Sequence, residues 1–260
     1  MMEPENSKTT CFEGMTSISA VIKAIQNGMS DRKLISVYID SERKSRRYDD
    51  IKWLTYRSAE LGFHIEFVSG EEISKLSSGT THGGIIAECT ERTYPKIEDS
   101  EIPDNGFYTL MDGIEDPYNL GFSIRSLYAC GCDGIILPEL YLMNAASVVA
   151  KASAGTSELI PIYTSDSENG VRLFKNHGYK TVCAGIRNSV SSFEADLKKP
   201  ILLVIGGEKR GISASVSKLA DTTVRIEYAR DFRGSLPSSS AVSILSYEIM
   251  RQNNHNIDNF

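Results

Sequence analysis

Residues Ile201–Ser213, ILLVIGGEKRGIS, decide how the chain folds. Ile201–Ile205 is an unbroken apolar run, which reads as a strand buried on both faces rather than one with a solvated side. Two glycines and a charged turn follow, then Gly211, and then Ser213, a hydroxyl placed to cap a short helix near 213–219. A buried strand that turns directly into a helix is the unit of a mainly parallel sheet covered by helices. Ligands of such sheets sit beyond the carboxyl ends of the strands.

Working outward, the same alternation fills the second half of the chain. It starts with a strand, FYTLMDG from Phe107, and a helix over 119–130. The strand GIILP, the helix AASVVAKAS, the strand LIPIY, the helix NGVRLFKNHG and the strand KTVCAG come next. Beyond the opening stretch lie the strand TTVRIEY and a long last helix from about 238 to 252. The loops to watch follow FYTLMD, TVCAG, LLVIGG and RIEY.

The first ~90 residues form a smaller α/β unit. ISAVIKAIQNG places Ile18, Val21, Ile22 and Ile25 at helical spacing, and Gly28 stops it. KLISVYID is a strand, YDDIKWLTYRSAELG a second helix ended by Gly62, and HIEFVS and GGIIAEC are further strands around a short helix at EEISKLS. Thr90–Gly106 is polar, holds two prolines and has no apolar period. The division expected is therefore 1–91, a linker over 92–106, and 107–260.

Apolar residues make up 41% and charged ones 24%, an ordinary balance for a globular chain, and no apolar run approaches the length of a membrane span. MMEPENSKTT is acidic and polar, unlike a signal or transit peptide. Five cysteines without a framework suggest reduced thiols and a cytoplasmic setting. Cys130 and Cys132 read as packed thiols rather than zinc ligands, because only four scattered histidines accompany them, so no metal is expected. The net charge of −6 argues mildly against nucleic-acid binding. ERKSRRYDD nevertheless gathers Arg43, Lys44, Arg46 and Arg47, either as a solvated turn or as an RNA contact.

Three loops hold unusual chemistry. DPYNLGFSIRS (Asp116–Ser126) brings Asn119 and Arg125, with Arg125 among apolar neighbours where it must be desolvated. GGEKRGIS brings Glu208, the candidate ion-pair partner of Arg125, and ARDFRGSLPSSSA brings Ser235 and a run of hydroxyls. Singly these are an ion pair, a tight turn and helix caps. Together, at one end of one sheet, they make a site with a cation, a carboxylate, an amide and backbone N–H groups. The glycine loop is not a nucleotide P-loop, since no Lys-Ser/Thr follows Gly211.

DPYNLGFSIRS, LLVIGGEKRGIS and GSLPSSSAVSILSYE resemble, in order and spacing, the three motifs of the SpoU (TrmH-like) branch of the SPOUT RNA methyltransferases, over about 150 residues. AKASAGTSELIP and the phrase HGGIIAE are similar to the family too, and the first ~90 residues resemble its small RNA-binding domain of ribosomal-protein type. The resemblance implies a SPOUT domain with a deep trefoil knot, a homodimer, and S-adenosylmethionine as donor. It implies donor contacts at Gly206, Ile226 and Leu236, with Ala184 or Gly185 lining the same pocket. It further implies 2′-O-ribose methylation of rRNA or tRNA. Arg125 would stabilise developing alkoxide charge, Asn119 would position Arg125 or the ribose, Glu208 would fix the arginine's geometry, and Ser235 would join the cluster.

Pro237 stands where the family usually has asparagine, and GGEK replaces the commoner Gly-Asn-Glu-Gly. The alternative this suggests is an RNA-binding protein of the same fold with weak or lost transfer. A nucleotide-dependent α/β enzyme acting on small molecules would lack its phosphate loop.

Overall fold

The structure is a computed structural model that describes residues 9–77, 79, 81–138 and 145–254. The ends of the two expected domains, 1–8 and 255–260, lie outside them. In chain order the first elements are β1 (Thr9–Glu13), α1 (Gly14–Gln26), β2 (Leu34–Asp40), α2 (Tyr48–Leu61), β3 (His64–Val68), α3 (Gly70–Leu76) and β4 (Ile85–Thr90). Next are β5 (Phe107–Asp112), α4 (Pro117–Ala129), β6 (Gly134–Leu137), α5 (Ala146–Ala152), α6 (Thr156–Leu159), β7 (Ile162–Thr164) and α7 (Ser167–Asn176). The last are β8 (Lys180–Ala184), β9 (Val190–Ser191), β10 (Ile201–Gly206), α8 (Ala214–Leu219), β11 (Thr222–Arg225) and α9 (Ser238–Asn253).

The chain divides into two compact units: Met1–Thr93 with Ala145–Leu159, and Tyr94–Asn144 with Ile160–Phe260. The first unit holds a four-stranded sheet in the order β1-β4-β2-β3, antiparallel except between β2 and β3. Ile18, Val21 and Ile22 of α1 pack against Val37, Ile39 and Ile85, as the helical spacing requires. Gly62 takes φ +77 and ends α2 by donating its N–H to Ser58 O. The edge strand β1 buries only Phe12 and Glu13, too short a signal to read beside a polar N-terminus.

The helices α5 and α6 belong to this unit although they lie far along the sequence. The turn between them approaches α1 so closely that a β-carbon on Gly155 would stand 2.6 Å from the Ala20 methyl. Glu158 is buried and accepts from Arg32 Nε at 3.2 Å, with Arg92 Nη1 at 3.8 Å. A carboxylate set between two guanidiniums tolerates burial, whereas removing either partner type would strand a charge.

The second unit is a seven-stranded sheet in the order β7-β6-β5-β10-β8-β11-β9, parallel throughout. β10 runs at its centre, flanked by β5 and β8, which is why its residues are apolar on both faces. On one face Tyr108, Phe174 and Tyr179 meet in edge and tilted ring contacts. The segment 94–106, expected as a linker, packs onto this unit: Ile97 and Ile102 are buried in its core, and Thr164 N–H donates to Pro95 O at 2.9 Å. Two isoleucines among polar residues carry no period to read. α4 and α9 pack together through small polar side chains, with Ser126 Oγ and Ser243 Oγ at 2.7 Å.

Candidate active site

Two neighbouring clefts open at the carboxyl ends of β5, β8, β10 and β11. The first, of about 560 Å³, is lined by Ala184, Gly185, Gly206, Ile226 and Leu236 and also by Glu208 and Ser235. The second, of about 530 Å³, takes in the loop 113–117 and Asn119 and shares Glu208, Arg210 and Ser238 with the first. The structure thus brings together the five residues expected to hold the donor and three of the four expected to act on the substrate.

Glycine makes the first cleft possible. A β-carbon on Gly206 would stand 2.3 Å from the Gly211 carbonyl carbon, and one on Gly207 would stand 1.9 Å from Gly113 O. The strand end is stitched accordingly: Gly207 N–H donates to Asp112 O at 2.9 Å and Gly211 N–H to Gly207 O at 2.8 Å. This crowding explains the second glycine of GGEK, since no side chain fits between those backbones. Asp112 closes the turn by accepting from Ser213 N–H at 2.9 Å, while Ser213 Oγ caps α8 through Val216 N–H.

Asp116 caps α4 by accepting from Asn119 N–H at 2.8 Å, and Pro117 occupies the first turn. Asn119 then links two loops. Its Nδ2 donates to Glu208 Oε1 at 2.8 Å and its Oδ1 accepts from Ser239 Oγ at 3.3 Å. Glu208 is therefore held by Asn119, not by Arg125.

The environment expected for Arg125 is corrected. The residue is exposed on α4, lines neither cleft and makes no hydrogen bond or ion pair among the described residues. One helix face accounts for this, because Tyr118, Phe122 and Arg125 recur at i, i+4 and i+7 and all three are exposed. Leu120, Ser123, Ile124 and Leu127 take the buried face instead.

Pro237 is the N-cap of α9, and Ser240 and Ala241 N–H groups reach its carbonyl, so the helix starts as a proline permits. Ser238, read above as one of several caps, has an Oγ that is buried without a partner among the described residues and borders both clefts. An orphaned hydroxyl facing a cavity suits a ligand, and neither Ser238 nor Ser239 was distinguishable within a run of serines. Cys183 also lines the first cleft; burial pushes its thiol up to about 12. Cys132 is buried beside Thr109 Oγ1 at 3.5 Å. Among the described residues no cluster of three or more His, Cys, Asp or Glu side chains could hold a metal.

The basic run of the first unit forms two 3-10 turns over 41–47. Arg43 pairs with Asp40 at 3.1 Å, and Lys44 sits over the Phe67 ring at 3.8 Å. Arg47 pairs with Asp50 at 2.6 Å and donates twice to Gly83 O. Arg46 is exposed and makes no such contact among the described residues. Among the described residues no helix is long and apolar enough to cross a membrane.

Known proteins share these features. Residues 18–95 match the sequence model for RNA 2′-O ribose methyltransferase substrate binding. The chain is 30% identical over 241 residues to the 23S rRNA (guanosine-2′-O-)-methyltransferase RlmB of Blochmanniella floridana, covering 89% of this chain and 92% of that one. It is 26% identical over 231 residues to the RlmB protein of Haemophilus influenzae (strain ATCC 51907 / DSM 11121 / KW20 / Rd), covering 86% and 92%. The fold is that of the crystal structure of AdoMet bound rRNA methyltransferase from Sinorhizobium meliloti, with a TM-score of 0.77 at 24% identity over 94% of this chain and 87% of that one. The model of the SpoU rRNA Methylase family matches residues 106–247, more than half of the chain and all of the loops that build the clefts, so the chain belongs to the SpoU rRNA Methylase family.

Proposed function

We propose that the protein transfers a methyl group from S-adenosylmethionine to a ribose 2′-hydroxyl of rRNA or tRNA, acting as a homodimer in the cytoplasm. The observation that carries the reading is the glycine-walled cleft at the ends of β8, β10 and β11, bordered by Glu208, Ser235 and a Ser238 hydroxyl that has no partner among the described residues. S-adenosylmethionine supplies an electrophilic methyl group when bound. Ala184, Gly185, Gly206, Ile226 and Leu236 would hold it, largely through main chain that small side chains leave accessible. Asn119, Glu208 and Ser239 form the bonded network that fixes the loop between the two clefts, and Ser235 adds a hydroxyl at the rim. The trefoil threading of the C-terminal segment belongs to the same proposal.

The ribose oxygen gains negative charge as its proton leaves, and a cation fixed beside it lowers the barrier without itself exchanging a proton. Arg125 is the candidate, and its exposure points to where it acts. Tyr118 and Phe122 are 57% and 48% exposed on the same face of α4, and Tyr247 on α9 is 59% exposed. A second copy covering these rings would remove them from water and bring Arg125 to the cleft of that copy. The five free cysteines fit a reducing compartment. On the first unit, Arg46 is assigned to RNA phosphate, with Lys44 beside it; Arg43 and Arg47 first serve their own fold.

The test uses labelled S-adenosylmethionine and total RNA from cells lacking the gene. Label should appear in the RNA, resist alkaline cleavage at the modified nucleotide as a 2′-O-methyl ribose does, and fall about 100- to 1000-fold in rate for Arg125→Ala. Donor binding by wild type with no transfer to any RNA would refute the reading.

A further inference from the structure

We propose that the loop between Tyr228 and Ser235 is a stacking platform for the base of the target nucleotide, with Phe232 the residue that touches it; this rests on the methyltransferase reading. The loop follows β11 and runs between two residues that line the first cleft, so it borders that cleft.

The platform is built rather than loose. Tyr228 OH accepts from Leu236 N–H at 3.3 Å, which ties the two ends of the loop together. Phe232 packs edge-on against Tyr228, with ring centroids 5.5 Å apart at 63°. Its other support is the bare α-carbon of Gly234, where a β-carbon would lie 2.5 Å from Phe232 Cζ. Held on two sides, the ring is still 52% exposed. A phenylalanine so fixed yet half in water offers a π-face at low entropy cost to a planar partner.

Charge says what kind of planar partner. Arg230 and Arg233 flank Phe232, are exposed, and make no hydrogen bond or ion pair among the described residues. Arg187 and Arg210, which line the cleft, are likewise exposed and make no hydrogen bond or ion pair among the described residues. Asp231 and Glu208 are the acids in their midst, Glu208 accepting from Asn119 Nδ2 at 2.8 Å, while Glu227 is already paired with Arg225 at 2.8 Å. Two such arginines on the cleft wall and two on the loop that borders it, on a chain of net charge −6, select an anionic polymer with aromatic bases. Sequence-specific RNA recognition targets unstacked bases, which aromatic side chains stack on.

The experiment measures Kd for a fluorescein-labelled single-stranded RNA 12-mer by polarisation, with S-adenosylhomocysteine saturating, for the full chain and Phe232→Ala, Phe232→Leu and Phe232→Trp. Base–aromatic stacking predicts a Kd raised about 5- to 100-fold for alanine and leucine and near wild type for tryptophan. Arg230→Gln with Arg233→Gln should make the slope of log K against log salt shallower by about 1.4. Donor affinity by calorimetry should not change in the Phe232 variants. Leucine binding RNA as tightly as wild type, or tryptophan falling as far as alanine, overturns the platform. So does a Phe232→Ala protein that elutes as a monomer where wild type elutes as a dimer, because the ring would then be a subunit contact. Methyl transfer by wild type is measured separately, so a failed methyltransferase reading and a failed platform give different results.

Discussion

At Gly207 a single β-carbon would stand 1.9 Å from a backbone carbonyl, and no rotamer relieves a clash with main chain. Gly207→Ala should therefore push β10 away from the loop at Gly113 and lower stability by about 1–3 kcal/mol, read as a fall in denaturation midpoint with donor affinity reduced in step. An unchanged midpoint would show that the two backbones are not in contact. The buried thiols give a second prediction. Burial pushes Cys89, Cys132 and Cys183 up to about 12 from 9.0. The folded state thus holds these protons more tightly than the unfolded one, and the stability this contributes is present below pH 9 and lost between 9 and 12. At pH 8 a disulfide reagent should titrate at most Cys11 and Cys130 in the native protein and all five after denaturation. Fast reaction of a third thiol would contradict that burial.

Among the elements, α4 and α9 carry most of the proposal. Each turns small or apolar residues inward and leaves aromatic ones outside, and on the reading above those faces meet a second copy. Phe122→Glu should yield a folded monomer by size-exclusion chromatography, with methyl transfer lost while the donor still binds; a dimer with full activity would place the interface elsewhere. The same helices show what sequence can reveal. Strands such as β10 and helices such as α1 were legible because burial on both faces, or on one stripe, leaves a period. β1, β9 and the packed segment 94–106 were not, because each contributes only one or two apolar side chains to a core. The first cleft was legible in its glycines, whose spacing follows from backbone crowding. The setting of Arg125 was not, since apolar neighbours along a helix look alike whether they meet a core or another subunit.

Over the whole molecule, the work divides between a unit that would select RNA and a parallel sheet that would carry out transfer. The first unit is completed by α5 and α6, held by the buried Arg32–Glu158–Arg92 group, so that a stretch from the middle of the chain is structural to it. In the second unit the central strands β5, β10 and β8 end together and present Asn119, Glu208 and the glycines as one surface. On the proposed reading Arg125, the cation that would act on the ribose oxygen, reaches that surface from a second copy, beside the Arg210 already on its wall. Mixing Arg125→Ala and Glu208→Ala proteins, each inactive alone, and letting the subunits exchange tests the consequence most directly. If Arg125 serves the cleft of the other copy, each mixed dimer regains one intact site, and methyl transfer to RNA should recover to about a quarter of wild type for random pairing. Activity no higher than that of either parent, with mixed dimers shown to have formed, would contradict the account.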